Sequence, residues 1–116
     1  MFTGTLITAS PASAWYQNQC AHADGNLRLW ESTYYSGACG EEPAGTNYSD
    51  TRGQAYNDGA SVYLHTQSAE NDDTYWLGVV LYDYTGYSGP SKQINTYQSS
   101  AGIGFVGVGS LQWWRN

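Results

Sequence analysis

Positive charge is scarce in this chain. Four Lys and Arg stand against ten Asp and Glu, and charged residues of both signs fill only 12% of the 116 positions. The net charge of −6 and pI near 4.4 repel phosphate backbones. Nucleic acid is therefore not an expected partner; cations and basic protein surfaces are. Long apolar runs are missing too. No stretch reaches the roughly 18 apolar residues that a membrane-spanning helix needs, so no membrane partner is expected. No segment holds a helical period or a convincing capping box, which predicts little helix.

Cysteine occurs only twice, as Cys20 and Cys39. Zinc coordination wants closely spaced Cys or His pairs, and only His22 lies near Cys20. A single disulfide between Cys20 and Cys39 fits better and suits an exported protein, with two buried thiols as the other reading. The N-terminus points the same way. Ala12-Ser13-Ala14 after Pro11, with Leu6 to Ala9 mildly apolar before it, reads as the end of a secretory signal or as a small-residue arm over 1–14. Secretion is the expected location.

What the chain has is aromatic side chains, 16% of all residues, and 14 glycines. That is the composition of a turn-dense β protein of one domain, here 15–116. One pattern occurs twice. Leu29-Trp30-Glu31-Ser32-Thr33-Tyr34-Tyr35-Ser36-Gly37 and Leu81-Tyr82-Asp83-Tyr84-Thr85-Gly86-Tyr87-Ser88-Gly89 both read aromatic-x-x-x-x-Tyr-x-Gly. An internal repeat declares the architecture before any residue is interpreted. Each copy predicts a strand that ends in a folded hairpin. Gly37 and Gly89 supply the backbone freedom, and Trp30, Tyr35, Tyr82 and Tyr87 supply the packing.

Around the repeats, Leu27 to Trp30 alternates as a strand, with Leu27 and Leu29 on one face and Arg28 and Trp30 on the other. Trp76 to Tyr82 and Ser110 to Trp114 also read as strands, as does Val62 to His65. Weaker strands are expected within Tyr48 to Tyr56 and Pro90 to Ser100. Gln67 to Thr74 is polar and reads as the connection between two halves.

Two such units, each opening on that hairpin and closing on a serine-bearing strand, resemble the βγ-crystallin superfamily. The chain is most similar to its small secreted bacterial members, such as the actinobacterial peptidase-inhibitor family of crystallin fold. The resemblance implies an all-β chain with two Greek-key motifs forming a βγ-crystallin-type β-sandwich, over about 26–66 and about 78–116. It implies a monomeric, non-enzymatic protein that acts by binding, with a secreted protease as the partner. A carbohydrate or cell-wall glycan and a Ca²⁺-stabilised structural or stress-protective role are the alternatives. For an inhibitor, 40–56, 66–75 and 90–108 are the available loops.

The resemblance also implies a place for Ca²⁺, in the pattern Asn/Asp-Asn/Asp-x-x-Ser/Thr-Ser. Asn57-Asp58-Gly59-Ala60-Ser61 fills its first five positions, and Val62 stands at the sixth. Asp58, the Gly59 carbonyl and Ser61 are ligand types that a hard cation takes. Phe105-Val106-Gly107-Val108-Gly109-Ser110 in the second unit carries no acid or amide. Ser61 set beside Ser110 brings Val62 opposite Leu111, which makes Ser61 the structural serine. One weak Ca²⁺ site or a plain Asn-Asp-Gly turn are the readings left.

Other motifs carry less. Gly102-Ile103-Gly104-Phe105-Val106-Gly107 matches a dinucleotide fingerprint, but it opens no βαβ unit. Ser88 sits in the hairpin like Ser36, with no base beside it. Glu41-Glu42 and Asp72-Asp73 are adjacent pairs rather than carboxylates facing across a cleft. No enzyme is expected. Trp15, Tyr16, Tyr34, Tyr84 and Trp114 are the aromatics most free to face a partner. Asn47-Tyr48-Ser49 is a glycosylation sequon.

Overall fold

The computed structural model describes residues 25–56 and 58–115. The expectations for residues 1–14, Trp15, Tyr16, Cys20, His22 and Asn57 fall outside the described residues, and the Cys20–Cys39 pairing falls there with them. Cys39 itself is buried.

Seven strands form among the described residues. They are β1 (Leu27–Ser32), β2 (Ser36–Glu42), β3 (Ser68–Asn71), β4 (Gly78–Tyr84), β5 (Ser88–Asn95), β6 (Ser99–Ser100) and β7 (Ser110–Trp114). One antiparallel sheet has the order β2-β1-β3-β6 and the other β5-β4-β7. Leu27, Leu29 and Ala69 from the first face Val79, Leu81, Ile94, Leu111 and Trp113 from the second, all buried in one core. Each large aliphatic side chain so buried contributes about 1.5–3 kcal/mol.

The two units are interleaved. β6 lies between β5 and β7 in the chain, yet it pairs with β3 in the first unit's sheet. Tyr48 lies between β2 and β3, yet it bridges Leu111 on β7, with backbone hydrogen bonds of 3.0 and 2.9 Å. Asn47 fastens the same crossing, since its Oδ1 accepts from the Trp113 N–H at 2.7 Å. Each unit thus lends its third extended segment to the other unit's sheet, the Greek-key exchange of an all-β sandwich. Among the described residues there is no α-helix, and only short 3-10 turns at Thr51–Gly53 and Val62–Leu64.

Two expectations are overturned. The strand expected over Val62 to His65 is a 3-10 turn, started by Ser61, whose Oγ accepts from the Tyr63 N–H at 3.1 Å. The connection expected over Gln67 to Thr74 contains β3. β3 is nearly all polar because its side chains have hydrogen-bond work to do. Asn71 donates to the Ile94 carbonyl at 3.0 Å and accepts from the Asp73 N–H at 3.0 Å. Only Ala69 enters the core, so the apolar pattern carried no trace of a strand. On the opposite face Arg28 is 1% exposed and flanked by Glu41 and Glu70 across the strands. It pairs with Glu70 at 2.8 Å and reaches Asp72 at 3.7 Å.

The core also takes in a carboxyl group. Glu42 stands opposite Leu27 and is fully buried, and neither of its oxygens makes a hydrogen bond of normal geometry. Burial pushes its pKa from the ordinary 4.5 up to about 8, with the nearby Tyr48 hydroxyl pulling modestly the other way. The folded protein therefore holds a proton on Glu42 that the unfolded chain releases near pH 4.5. Folding stability should fall by about 1.4 kcal/mol per pH unit between those two values and level off above the upper one. Urea unfolding from pH 5 to 9 checks this. Glu42→Gln, which cannot ionise, should remove that component of the slope and be the more stable form at pH 8.

Candidate functional site

The hairpins set the geometry around which any site must be built. In the first, Trp30 and Tyr35 meet edge-on with ring centroids 5.3 Å apart, and in the second Tyr82 and Tyr87 meet at 6.0 Å. Tyr35 and Tyr87 lie in the left-handed region, at φ 57° and 59°. That conformation is costly for a residue with a Cβ. Both are held from the same direction. The Tyr35 N–H donates to Ser68 Oγ at 3.0 Å, and that hydroxyl donates to the Ser32 carbonyl at 2.6 Å. The Tyr87 N–H donates to Ser110 Oγ at 2.9 Å, and that hydroxyl donates to the Tyr84 carbonyl at 2.6 Å. Ser36 and Ser88 match as well, each donating to the threonine carbonyl at the corner, Thr33 at 2.8 Å and Thr85 at 2.9 Å. Ser88 is hairpin structure.

These bonds correct the register between the units. The serine equivalent to Ser110 is Ser68, not Ser61. Backbone bonds repeat the equivalence: Gln67 donates to Trp30 at 2.9 Å as Gly109 donates to Tyr82 at 2.8 Å. Ile103 donates to the Gln67 carbonyl and Thr51 to the Gly109 carbonyl, both at 3.0 Å. The sequence did hold a signal, since Ser68-Ala69-Glu70 and Ser110-Leu111-Gln112 share a Ser-apolar-polar pattern.

Neither a family model nor a curated protein sequence matches the chain. Among solved structures, the crystal structure of the N-terminal domain of protein S is similar over 78% of this chain and 96% of that one, with 22% identity and a TM-score of 0.54. That neighbour has a βγ-crystallin fold. The chain folds as a βγ-crystallin-type sandwich. At this identity the likeness carries the fold alone, and it does not reach the peptidase-inhibitor family.

In a crystallin-type frame a cation pattern ends on the hairpin serine, so the corrected register moves the implied ligand positions to Gln67 and Gly109. They do not fit a cation. Gly109 has no side chain, and a Cβ there would come within 2.6 Å of Tyr84 backbone. The Gln67 amide nitrogen donates to the carbonyls of Phe105 at 3.2 Å and Val106 at 2.8 Å. Among the described residues no group of three or more His, Cys, Asp and Glu is placed to hold a metal ion.

In the segment that carries the Ca²⁺ pattern the described side chains make local hydrogen bonds. Asp58 Oδ1 accepts from the Ala60 N–H at 2.9 Å across the Gly59 turn, and Ser61 Oγ starts the 3-10 turn that follows. Glu31, from the first hairpin strand, comes up against Asp58. Burial and the hydrogen bond to Asp58 raise the pKa of Glu31, whereas the Ala60 N–H and Glu31 hold Asp58 below its usual range. His65 stands near enough to favour both ionised forms, and its Nδ1 contacts the Ser61 carbonyl at 2.8 Å. No local pattern marks Glu31, because only folding brings β1 to this turn.

Exposed aromatics gather elsewhere. Tyr75 is 67% exposed, Tyr97 70% and Leu77 42%. Asp73 holds the segment by accepting from the N–H groups of Tyr75 and Trp76 at 2.9 and 2.8 Å. Leu77 bonds through its backbone to Trp114 and Thr96, which brings Tyr97 alongside. The Arg115 guanidinium lies 4.5 Å over the Tyr75 ring and 4.9 Å over that of Trp76. Tyr34 and Tyr84 are exposed on the hairpins. Trp114 is half-buried, and Gly78 opposite it leaves room for its ring.

Ser68→Ala and Ser110→Ala should each destabilise the fold by about 1–3 kcal/mol, because each strands a backbone donor and a backbone acceptor. Ser61→Ala, which removes a single cap, should cost about 1 kcal/mol or less. Urea midpoints of the three variants check the ranking, and a Ser61 effect equal to that of Ser110 would contradict the corrected register.

Proposed function

We propose that this chain is a secreted, non-enzymatic binding protein, with the surface of Tyr75, Trp76, Leu77, Tyr97 and Arg115 as its docking face and a secreted peptidase as its partner class. The observation that carries the reading is that surface. Tyr, Trp and Arg are the residues that dominate protein–protein hot spots, and here Tyr75, Tyr97 and Arg115 stand exposed beside a half-buried Trp76 on a frame held by two sheets. A sugar needs an open ring face to stack on, and Arg115 already lies over both Tyr75 and Trp76. That favours a protein over a glycan. The excess of acid over base favours a basic partner surface.

Of the candidate loops, 66–75 supplies Tyr75 to this face and 90–108 supplies Tyr97. β3 takes up part of the first, and β5 takes up the start of the second. The peptidase reading rests on the family resemblance, and its transfer is fold-level analogy. Secretion rests on Ala12-Ser13-Ala14 and on pairing of Cys20 with Cys39.

Titration against secreted metallo- and serine peptidases, with pull-downs on basic extracellular proteins and on cell-wall glycan, tests the proposal. Tyr75→Ala and Arg115→Ala should each weaken capture of the protein partner at least about tenfold while leaving the melting temperature in place. Retention by glycan alone, or binding indifferent to both substitutions, would move the function to another surface.

A further inference from the structure

The two halves share the bonds at the hairpin serines and at the crossing segments, and they part at the side chains of Gln67 and Gly109. At the Gln67 junction the segment 101–106 of the second unit crosses against the first. Tyr34 donates to the Ala101 carbonyl at 2.8 Å, Ile103 donates to the Gln67 carbonyl, and the Gln67 amide takes the Phe105 and Val106 carbonyls together. The nitrogen end of that amide must face the 101–106 segment, because both contacts are carbonyl oxygens and the amide oxygen can only accept. Two backbone carbonyls converging on one point are an arrangement that a hard cation can also satisfy. Here an uncharged NH₂ group fills it.

We propose that the Gln67 carboxamide is the built-in replacement for a bridging cation at this junction, so that the clamp between the two units needs no metal, and that one change of charge at this residue converts the junction into a divalent-cation site. A glutamate keeps the reach of glutamine but turns the donor into an acceptor. Four oxygens, two from the new carboxylate and two from Phe105 and Val106, would then face one another with nothing between them, a poor arrangement when empty and a ligand set for Ca²⁺ when filled.

The test uses the full chain with Asp58→Asn as parent, so that the Glu31–Asp58 pair contributes nothing. Thermal melts are recorded in EDTA and in about 10 mM Ca²⁺, with K⁺ at matched ionic strength as control, since stabilisation by a bound ion follows its free concentration. The parent is expected to melt alike in both. Gln67→Ala should melt a few degrees lower and equally so in both. Gln67→Glu should fall at least as far in EDTA and recover in Ca²⁺ but not in K⁺; if it is unfolded in EDTA, folding on Ca²⁺ addition is the same result. A parent whose melting rises with Ca²⁺, a Gln67→Ala variant that melts with the parent, or a Gln67→Glu variant indifferent to Ca²⁺ would each overturn the proposal. Exchange protection of the Ile103 amide gives an independent reading, with the Gln67→Ala variant expected to lose it at least several-fold.

Discussion

A tyrosine turned into the left-handed region has to be held there, and in this protein one hydroxyl does the holding at each hairpin. Ser68 and Ser110 accept the N–H of the strained tyrosine and donate to the carbonyl at the strand end. Only a group that donates and accepts at once can do this, which is why serine stands there and alanine could not. Both serines are also the first residues of the strands that close their units. The hairpin corner, the register of the closing strand and the equivalence of the two halves are therefore one constraint, and the positions of Gln67 and Gly109 follow from it.

What was legible in the sequence was what is local. The repeated aromatic-x-x-x-x-Tyr-x-Gly shows because its parts touch within one hairpin, and β1 and β7 show because their apolar residues alternate. β3 left no such trace, since Ala69 alone faces the core. Without β3, Ser61 after Asn57-Asp58-Gly59 reads as the closing serine, a place that the hydrogen bonds give to Ser68. The exchange of third segments is invisible to any local pattern, because β6 is a pair of serines and Tyr48 a single bridge. Glu31 beside Asp58, and Gln67 on the Phe105 and Val106 carbonyls, are neighbours only across that exchange.

The charge count also changes its meaning in the fold. The formal −6 treats every acid as ionised, but Glu42 is buried and its pKa is pushed up to about 8. Glu70 and Asp72 are committed to Arg28, and Asp73 spends both oxygens on backbone N–H groups. The net charge that a partner meets is thus smaller than composition suggests by the one charge of Glu42, and Asp73 beside the aromatic face is engaged by the N–H groups of Tyr75 and Trp76.

The interleaving of the units fixes the order in which the chain can become a protein. The first sheet lacks its outer strand until β6 exists, and the Tyr48 crossing has no partner until β7 exists. The first half by itself supplies the three strands β2-β1-β3, with the edge of β3 left open for β6. Contacts of such long sequence separation make folding slow relative to local structures, and they tie the closing of each sheet to the presence of the other half.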